Sequence, residues 1–331
     1  MERPIVALVL AGGTGTRLYP ASRSDRPKQF LSFGKAESLL AETVNRVGFA
    51  DETYVLTRES FADGVRDRAP NAAVLTEPEP KDTGPALAYA AHRIREQVGD
   101  CVLLCLPSDH RISGSFETVA RTAARVAVET DGLVTVGIEP DRPATGYGYI
   151  KPGASENGFA PVETFHEKPD RETATEYVRE GFYWNAGLFA WTPTALLSAL
   201  ESSPLAPMVE RLDQGEYDAA FDAVDPVSID YAVLERADSA FVVPAALDWD
   251  DLGSWDAFER VLDSQDGNAV LGEAITIDAD GNVLASDGHV SAVGVSDLVV
   301  ASFGDRTLVV PKDDAQRVRE VVAELRDDGQ F

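Results

Sequence analysis

The sequence contains few of the residues that several common functions require. Of its 331 residues, 2 are cysteines and 4 are histidines, and 29 lysines and arginines face 56 aspartates and glutamates. The formal net charge of -27 argues against a nucleic-acid partner, because binding a phosphate backbone needs a basic surface. No apolar run is long enough to cross a bilayer. We therefore expect a cytoplasmic protein without a membrane partner.

The scarce cysteines and histidines show no pattern of a metal site. Cys101 and Cys105 lie in one apolar run, on the same face of a predicted strand and about 13 Å apart, too far for a disulfide. The histidines have neither metal-binding spacing nor the order of a Ser-His-Asp triad. We predict buried cysteines and structural histidines.

The acidic residues are spread along the chain rather than collected in a tail. An excess of carboxylates over lysines is typical of the solvated surface of halophilic proteins, and ordinary solubility is the alternative. Hydrophobic residues make up 44% of the chain, which is enough to form a sizeable core.

The first part of the sequence alternates apolar strands with amphipathic helices. Ile5–Leu10 is a continuous apolar run, typical of a strand in a parallel sheet that is covered on both faces. Ser38, Thr83 and Ser115 are predicted to cap the helices that follow them. Further strands are predicted at residues 53–57, 101–106 and 133–137. This order predicts a doubly wound, Rossmann-like α/β sheet, which binds ligands at the carboxyl ends of its strands.

The rest of the chain reads differently. Residues 145–255 are less regular and rich in aromatics, as expected of segments that build a substrate pocket. After residue 268, short strands are predicted around turns at Asp280-Gly281 and Asp287-Gly288, followed by a helix with Asp313 and Gln316 as a capping box. We predict one domain over residues 1–262 and a small β-rich domain over residues 263–331, with a role in packing, dimerisation or both.

A glycine-rich, basic segment from Gly12 to Phe30 follows the first strand directly. Glycines let backbone N–H groups approach a phosphate closely, Arg17 can bind phosphate oxygens through two donors, and Lys28 supplies a point charge. The segment lacks the Gly-Lys-Ser/Thr of a P-loop, and Leu18 stands where a dinucleotide fingerprint needs glycine. It is predicted to hold a nucleoside triphosphate.

The same segment resembles the signature of the sugar-1-phosphate nucleotidyltransferases. Within it, Ser22-Arg23 and residues 27–30 resemble the mannose-1-phosphate guanylyltransferase (GDP-mannose pyrophosphorylase) branch, and with the acidic composition this suggests a halophilic archaeal source. The resemblance covers essentially the whole chain. It implies the nucleotide-diphospho-sugar transferase type of mixed sheet, Mg²⁺ as cofactor, and GTP and mannose 1-phosphate as substrates. We also expect a homodimer.

Two acidic motifs could bind Mg²⁺, a cation that prefers oxygen ligands. Asp109 follows a predicted buried strand, and Asp250 and Asp251 lie in a motif between two tryptophans. The resemblance implies that Asp109 and Asp251 are the metal ligands, although the sequence alone leaves Asp250 as an alternative.

The resemblance also implies the sugar and nucleotide residues. Glu167 would accept sugar hydroxyls, Lys168 would pair with the sugar phosphate, and Gly148 and Asn185 would contact the hexose. Arg17, Lys28 and Lys168 would be catalytic. The nucleotide would be bound by Leu10, Ala11, Gly12, Gly13, Gly15, Thr16, Asp82, Thr83 and Ser108. Because relatives commonly carry Asn-Thr where this chain has Asp82-Thr83, the choice of base stays open.

The sequence leaves two alternative functions open. The substrates could instead be glucose 1-phosphate with UTP or dTTP, or the protein could be a non-catalytic regulator that binds sugar nucleotides. A catalytically inactive relative would be expected to lose Lys28 or a metal carboxylate. This sequence keeps Lys28, Asp109 and Asp251, which favours an enzyme.

Overall fold

The structure is a computed structural model that describes residues 3–34, 36–236 and 239–331. The chain forms two compact units, each assembled from separate segments. The first unit contains Met1–Gly12, Val44–Pro107 and Ile112–Trp249, and the second contains Gly13–Thr43, Ser108–Arg111 and Asp250–Phe331. The domain boundary expected near residue 262 stays a prediction.

In the described residues, the first unit contains a nine-stranded mixed sheet with the strand order β3-β2-β1-β4-β9-β6-β10-β8-β7. Two further short strands, β5 and β11, pair with each other. The strands are β1 Ile5–Leu10, β2 Glu52–Arg58, β3 Ala73–Glu77, β4 Val102–Pro107, β5 Arg111–Ser113, β6 Leu133–Ile138, β7 Tyr149–Pro152, β8 Ala160–His166, β9 Tyr183–Trp191, β10 Ala240–Ala245 and β11 Asp248–Asp250.

The sheet is parallel where the chain alternates strands and helices, and antiparallel where it does not. Strands β1, β2, β3 and β4 pair in parallel, whereas β9 runs antiparallel between β4 and β6. Val6, Ala7, Leu8 and Val9 are all fully buried although successive side chains point to opposite faces. Both faces of β1 are therefore covered, as its continuous apolar run predicted, and the doubly wound, Rossmann-like fold is confirmed.

Helices lie between many of these strands along the chain, and the first of them contains residues of both units. Within the described residues before position 223 they are α1 Leu39–Arg46, α2 Ala62–Arg68, α3 Thr83–Val98, α4 Phe116–Thr130, α5 Arg171–Arg179, α6 Pro193–Leu200, α7 Ala206–Asp213 and α8 Tyr217–Asp222. Residues of α3, α6, α7 and α8 pack with β1 and β4 in one apolar cluster. No helix in the described part of the chain has the length and the apolar character needed to span a membrane.

Two expectations about these elements are wrong. Thr83 does not cap α3: it is the first helical residue, and the cap is Asp82, whose side chain accepts a hydrogen bond from the Thr83 backbone N–H at 2.6 Å. The middle of the chain is also more regular than expected, because residues 149–245 contain four strands of the main sheet. Their sequence mixes aromatic and polar residues, which hides the alternation.

The second unit contains a smaller sheet and the glycine-rich loop. The sheet has five strands in the described residues, in sequence order: β12 Ser264–Gln265, β13 Asn268–Ile277, β14 Val283–Val293, β15 Leu298–Phe303 and β16 Arg306–Pro311. The remaining helices are α9 Phe258–Val261 and α10 Val318–Asp327. The predicted β-rich C-terminal part is confirmed.

The three central C-terminal strands pair in parallel as successive coils, whereas β12 with β13 and β15 with β16 pair antiparallel. Strand β14 pairs in parallel with both β13 and β15. Asn268 and Asn282 are buried where the chain turns between coils, and the Asn282 side chain donates to Asn268 Oδ1 at 2.8 Å. The turn predicted at Asp287-Gly288 is wrong, because β14 runs through it.

The core of the second unit joins the loop to these coils. Leu18 and Leu31 share an apolar cluster with Trp255 and with residues of β15 and α10. The indole of Trp255 donates to the carbonyl of Tyr19 at 2.9 Å, and its ring stacks on Phe303. The C-terminal coils therefore pack directly on the segment that was predicted to bind phosphate.

The two cysteines are buried and unpaired, as predicted. Cys101 lies just before β4 and Cys105 within it. Burial raises the pKa of the Cys101 thiol to about 11, so it is not a reactive thiolate.

Candidate functional site

In the second unit, the glycine-rich loop folds back so that Lys28 lies against Gly15. The Lys28 backbone N–H donates to the carbonyl of Thr14 at 3.1 Å. Gly15 has φ of 71°, and a Cβ on it would lie 2.3 Å from the Cβ of Lys28. Only glycine allows both this conformation and this approach. Gly13 is exposed, and Thr16 begins a short 3₁₀ turn.

Lys28 connects three segments that are far apart in the sequence. Its ammonium is buried, donates to Asp109 Oδ2 at 2.8 Å and also donates to the backbone carbonyl of Asp251 at 2.5 Å. Removing the Asp109 carboxylate would leave the buried ammonium without its charged partner, which is destabilising. The predicted phosphate-binding lysine therefore contacts both residues that were predicted to bind the metal.

Asp250 and Asp251 make different contacts in the structure. Asp250 is buried; its Oδ1 accepts from the Leu252 N–H at 2.8 Å, and its Oδ2 accepts from Arg260 at 2.8 Å. Both of its oxygens are thus engaged within the protein. Asp251 Oδ1 accepts from the Gly253 N–H at 3.0 Å, which orients that carboxylate.

Opposing effects act on the carboxyl group of Asp109. Burial alone would raise its pKa, but the Lys28 ammonium beside it lowers the pKa below its ordinary value. Burial lowers the pKa of His110, which favours its neutral form. The neighbouring Ser108 is buried, and its carbonyl accepts from the Thr43 hydroxyl at 3.3 Å. Asp109 is therefore held as an anion at neutral pH.

Arg17 has a partner that sequence reasoning missed. Its guanidinium donates to Gln316 Oε1 at 2.9 Å, and Gln316 Nε2 donates to Ser254 Oγ at 2.7 Å. The predicted capping box of Asp313 and Gln316 is therefore wrong, because the Gln316 side chain links Arg17 to the motif that contains Asp251. No local signal in the sequence distinguishes this glutamine from a capping residue.

In the first unit, the end of β1 brings Leu10, Ala11 and Gly12 next to β2 and β3. The Ala11 N–H donates to the Leu56 carbonyl at 2.8 Å. A Cβ on Gly12 would lie 2.7 Å from Glu77 Oε1. Glu77 is buried, and burial raises its pKa to about 7, although Arg58 opposes the shift. Sequence reasoning missed this carboxyl group.

Asp82 and Thr83 lie at the start of α3. Asp82 is exposed and has φ of 71°, an unusual backbone conformation for a residue other than glycine. The hydroxyl of Thr83 accepts from the Ile229 N–H at 3.0 Å, so it anchors the segment around Ile229.

The predicted sugar residues also lie together in the first unit. Glu167 Oε1 accepts from the ammonium of Lys168, while its Oε2 is buried and has no hydrogen-bond partner among the described residues. A Cβ on Gly148 would lie 2.5 Å from Oε2 and 3.4 Å from Cβ of Asn185. The Gly148 carbonyl accepts from the Asn185 N–H at 2.8 Å. A buried oxygen without a hydrogen-bond partner is suited to accept a ligand hydroxyl.

A further residue that the sequence did not reveal completes this cluster. Asn185 Nδ2 donates to Asp230 Oδ1 at 2.9 Å. Asp230 begins a π-helix, Asp230–Leu234, a rare element that often occurs at functional sites. The residues themselves carry no local motif for this contact, because positions 185 and 230 meet only after folding.

Comparison with known proteins identifies the family of the chain. The nucleotidyl transferase family model matches residues 6–266, and the model of the MannoseP isomerase/GMP-like beta-helix domain matches residues 272–325. The second match covers most of the parallel coils of the second unit.

Named relatives are similar over nearly the whole chain. The xanthan biosynthesis protein XanB of Xanthomonas campestris pv. campestris (strain B100) is 36% identical over 98% of this chain and 74% of its own length. A mannose-1-phosphate guanylyltransferase of Salmonella montevideo is 34% identical over 97% and 74%, respectively.

A solved structure shares the fold throughout. The crystal structure described as mannose-1-phosphate geranyltransferase from Thermus thermophilus is 36% identical, with a TM-score of 0.91 over 98% of this chain and 99% of that one. Sequence, domain content and fold agree, and the chain belongs to the nucleotidyl transferase family.

Proposed function

We propose that this chain transfers GMP from GTP to mannose 1-phosphate, giving GDP-mannose and pyrophosphate. The observation that carries the proposal is the buried ammonium of Lys28, which binds both the Asp109 carboxylate and the Asp251 carbonyl. Transfer between phosphates needs positive charge and metal-binding carboxylates at one place. The relatives named mannose-1-phosphate guanylyltransferase support the choice of base and sugar.

The oxygen atoms around Lys28 fit Mg²⁺. This ion takes one or two carboxylates and completes its shell with water and substrate phosphates. The described residues contain no group of three or more His, Cys, Asp and Glu side chains that could form a closed metal cage. We propose Asp109 and Asp251 as the protein ligands, because both oxygens of Asp250 are engaged. When bound, the ion would offset the negative charge of the phosphates.

The remaining work is positioning and charge neutralisation. An oxygen of the mannose 1-phosphate phosphoryl group, already an anion, forms a bond to the α-phosphorus of GTP. The bond from the α-phosphorus to its bridging oxygen breaks, and the electron pair leaves with pyrophosphate. No general base is needed. Arg17 and Lys28 stabilise the charge on the phosphates, and Lys168 pairs with the sugar phosphate.

The base of the nucleotide is assigned to the start of α3. Asp82 is exposed there and can accept from the N1–H and the amino group of guanine, two adjacent donors that adenine lacks. This favours GTP over ATP.

A substrate panel tests the proposal. The purified protein with Mg²⁺ is offered GTP, ATP, UTP and dTTP with several hexose 1-phosphates, and pyrophosphate release is measured. We expect the highest kcat/KM with GTP and mannose 1-phosphate. Highest turnover with UTP or dTTP and glucose 1-phosphate would refute this specificity, and no turnover with any pair would indicate a non-catalytic binder. Asp222→Asn, at an exposed position, is the control for site variants.

The acidic composition supports an extension of the proposal to function at high salt. The 56 acidic residues exceed the 29 basic ones, and their mutual repulsion weakens when salt screens it. We expect the thermal midpoint to rise steadily from dilute buffer to molar KCl. Full stability in dilute buffer would refute the adaptation. The homodimer and the cytoplasmic location expected from the sequence stay predictions.

A further inference from the structure

The amide of Asn185 is held in one orientation by the protein itself. Its Oδ1 accepts from the hydroxyl of Thr135 at 2.9 Å and from the backbone N–H of Gly187 at 3.2 Å. A backbone N–H can only donate, so this oxygen is assigned unambiguously and both of its lone pairs are used. Asn185 Nδ2 must therefore point the other way, toward Asp230 Oδ1.

This arrangement changes the role expected of Asn185. Its oxygen has no capacity left for a ligand, and one of its two amide hydrogens is already donated to Asp230. Its main effect is to fix the position of the Asp230 carboxylate. Asn185 therefore positions Asp230 toward a ligand, and the sequence did not reveal this acidic residue.

Asp230 is held in place from the backbone side as well. The preceding residue, Ile229, is buried, and its N–H donates to the Thr83 hydroxyl at 3.0 Å. Asp230 is the first residue of the π-helix and is partly exposed. It can therefore contact a ligand while its own position stays fixed.

A second carboxylate, Glu167, lies close enough to Asp230 to affect it. Burial, and next the negative charge of Glu167, raise the pKa of Asp230 to about 7. The Glu167 side chain is 7% exposed, and its Oε2 has no partner among the described residues. The ammonium of Lys168 binds Glu167, and the negative charges of Glu167 and Asp230 help to raise the pKa of Lys168. Two acceptors next to one cation match a ligand that carries neighbouring hydroxyls and a negative charge.

We propose that Asp230 is a specificity-determining residue that accepts a hydrogen bond from one hexose hydroxyl while Glu167 Oε2 accepts one from another. This inference rests on the proposed function, because it assigns the sugar side of the same reaction. A hexose 1-phosphate without a hydroxyl at the matching position leaves an acceptor oxygen of the site without its hydroxyl donor. Sites built in this way discriminate strongly against analogues that lack the group.

The test combines enzyme variants with deoxy sugars. Wild type, Asp230→Ala and the control Asp222→Asn are assayed with mannose 1-phosphate and with its 2-, 3-, 4- and 6-deoxy forms, at saturating GTP. For wild type and the control, we expect the loss of one hydroxyl to lower kcat/KM by about 10- to 100-fold. In Asp230→Ala the penalty at one position should shrink to about twofold, while the KM for GTP stays unchanged.

The inference is overturned if Asp230→Ala keeps the wild-type penalty at every position. If that variant does not fold, Asp230→Asn is assayed instead. Asparagine keeps an acceptor for the Asn185 amide but carries no charge, and it should still weaken one penalty.

Failure of the proposed function gives a separate result. If the wild type turns over no pair of substrates, calorimetric titration with the same deoxy sugar phosphates measures affinity instead. Equal affinity losses in wild type and Asp230→Ala would then overturn the role of Asp230.

Discussion

Replacing Gly148 with alanine adds a single methyl group to the cluster of predicted sugar residues and so tests their role. The new Cβ would lie 2.5 Å from Glu167 Oε2 and 3.1 Å from Phe165 Cζ. Gly148 does not have a positive φ, so alanine can adopt its backbone conformation. The expected effect therefore comes from the contact with Glu167 and Phe165 rather than from backbone strain.

The size of the effect follows from that contact. The Glu167 carboxylate must move by roughly 1 Å to reach van der Waals distance from the methyl group. It is buried and bound to Lys168, so it cannot simply rotate into solvent. A misplacement of about 1 Å, or the loss of one charged hydrogen bond, costs about 10- to 100-fold in rate.

The assay compares two neighbouring glycines. Gly146→Ala is the matched control, since a Cβ there meets nothing within 4 Å and φ is not positive. We expect Gly148→Ala to lower kcat/KM for mannose 1-phosphate by about 10- to 100-fold, with the KM for GTP unchanged. Gly146→Ala should stay within about twofold. The reasoning is refuted if the two variants are equally active, or if Gly148→Ala changes the KM for GTP as much as that for the sugar.

Three further predictions address other groups. Folding raises the pKa of Glu77 from 4.5 to about 7, so the carboxyl group stays protonated to a higher pH in the folded chain than in the unfolded chain. Its contribution to stability is therefore full below pH 4.5 and is lost as pH rises through 7. In urea unfolding, the free energy of unfolding of Glu77→Gln should increase by about 2–3 kcal/mol relative to that of wild type between pH 5 and pH 8. Plots of unfolding free energy against pH that run parallel for the two proteins would contradict this. Asp251→Asn should lower kcat by about 10²- to 10³-fold with an unchanged melting point. Asp250→Asn should instead lower the free energy of unfolding by about 1–3 kcal/mol. The reverse pattern would make Asp250 the metal ligand and Asp251 the structural residue. Gln316→Ala should lower kcat/KM for GTP by about 3- to 10-fold, because Arg17 loses a hydrogen bond, and wild-type kinetics would remove this role.

Features that depend on neighbouring residues could be predicted from the sequence. The continuous apolar run of β1 indicated a strand buried on both faces, and that strand is fully covered. Helix α1 begins directly after Ser38, as the capping pattern predicted, and Ser38 Oγ accepts from the Ala41 N–H. Local propensity gave a wrong prediction where a residue pair that is typical of turns lies in a strand. The Asp287-Gly288 pair matches a turn but lies inside β14, at the irregularity in its pairing with β13.

Contacts between distant residues were decided only by the tertiary structure. The motifs around Lys28, Asp109 and Asp251 could be found in the sequence. The sequence could not show that the Lys28 ammonium binds both the Asp109 carboxylate and the Asp251 carbonyl. The links from Asn185 to Asp230 and from Arg17 to Gln316 had no sequence signal at all. Apolar periodicity and caps are encoded by residues a few positions apart, and the sequence therefore determined the elements. Which side chains share a proton or a charge depends on how those elements pack, and only the folded chain decides that.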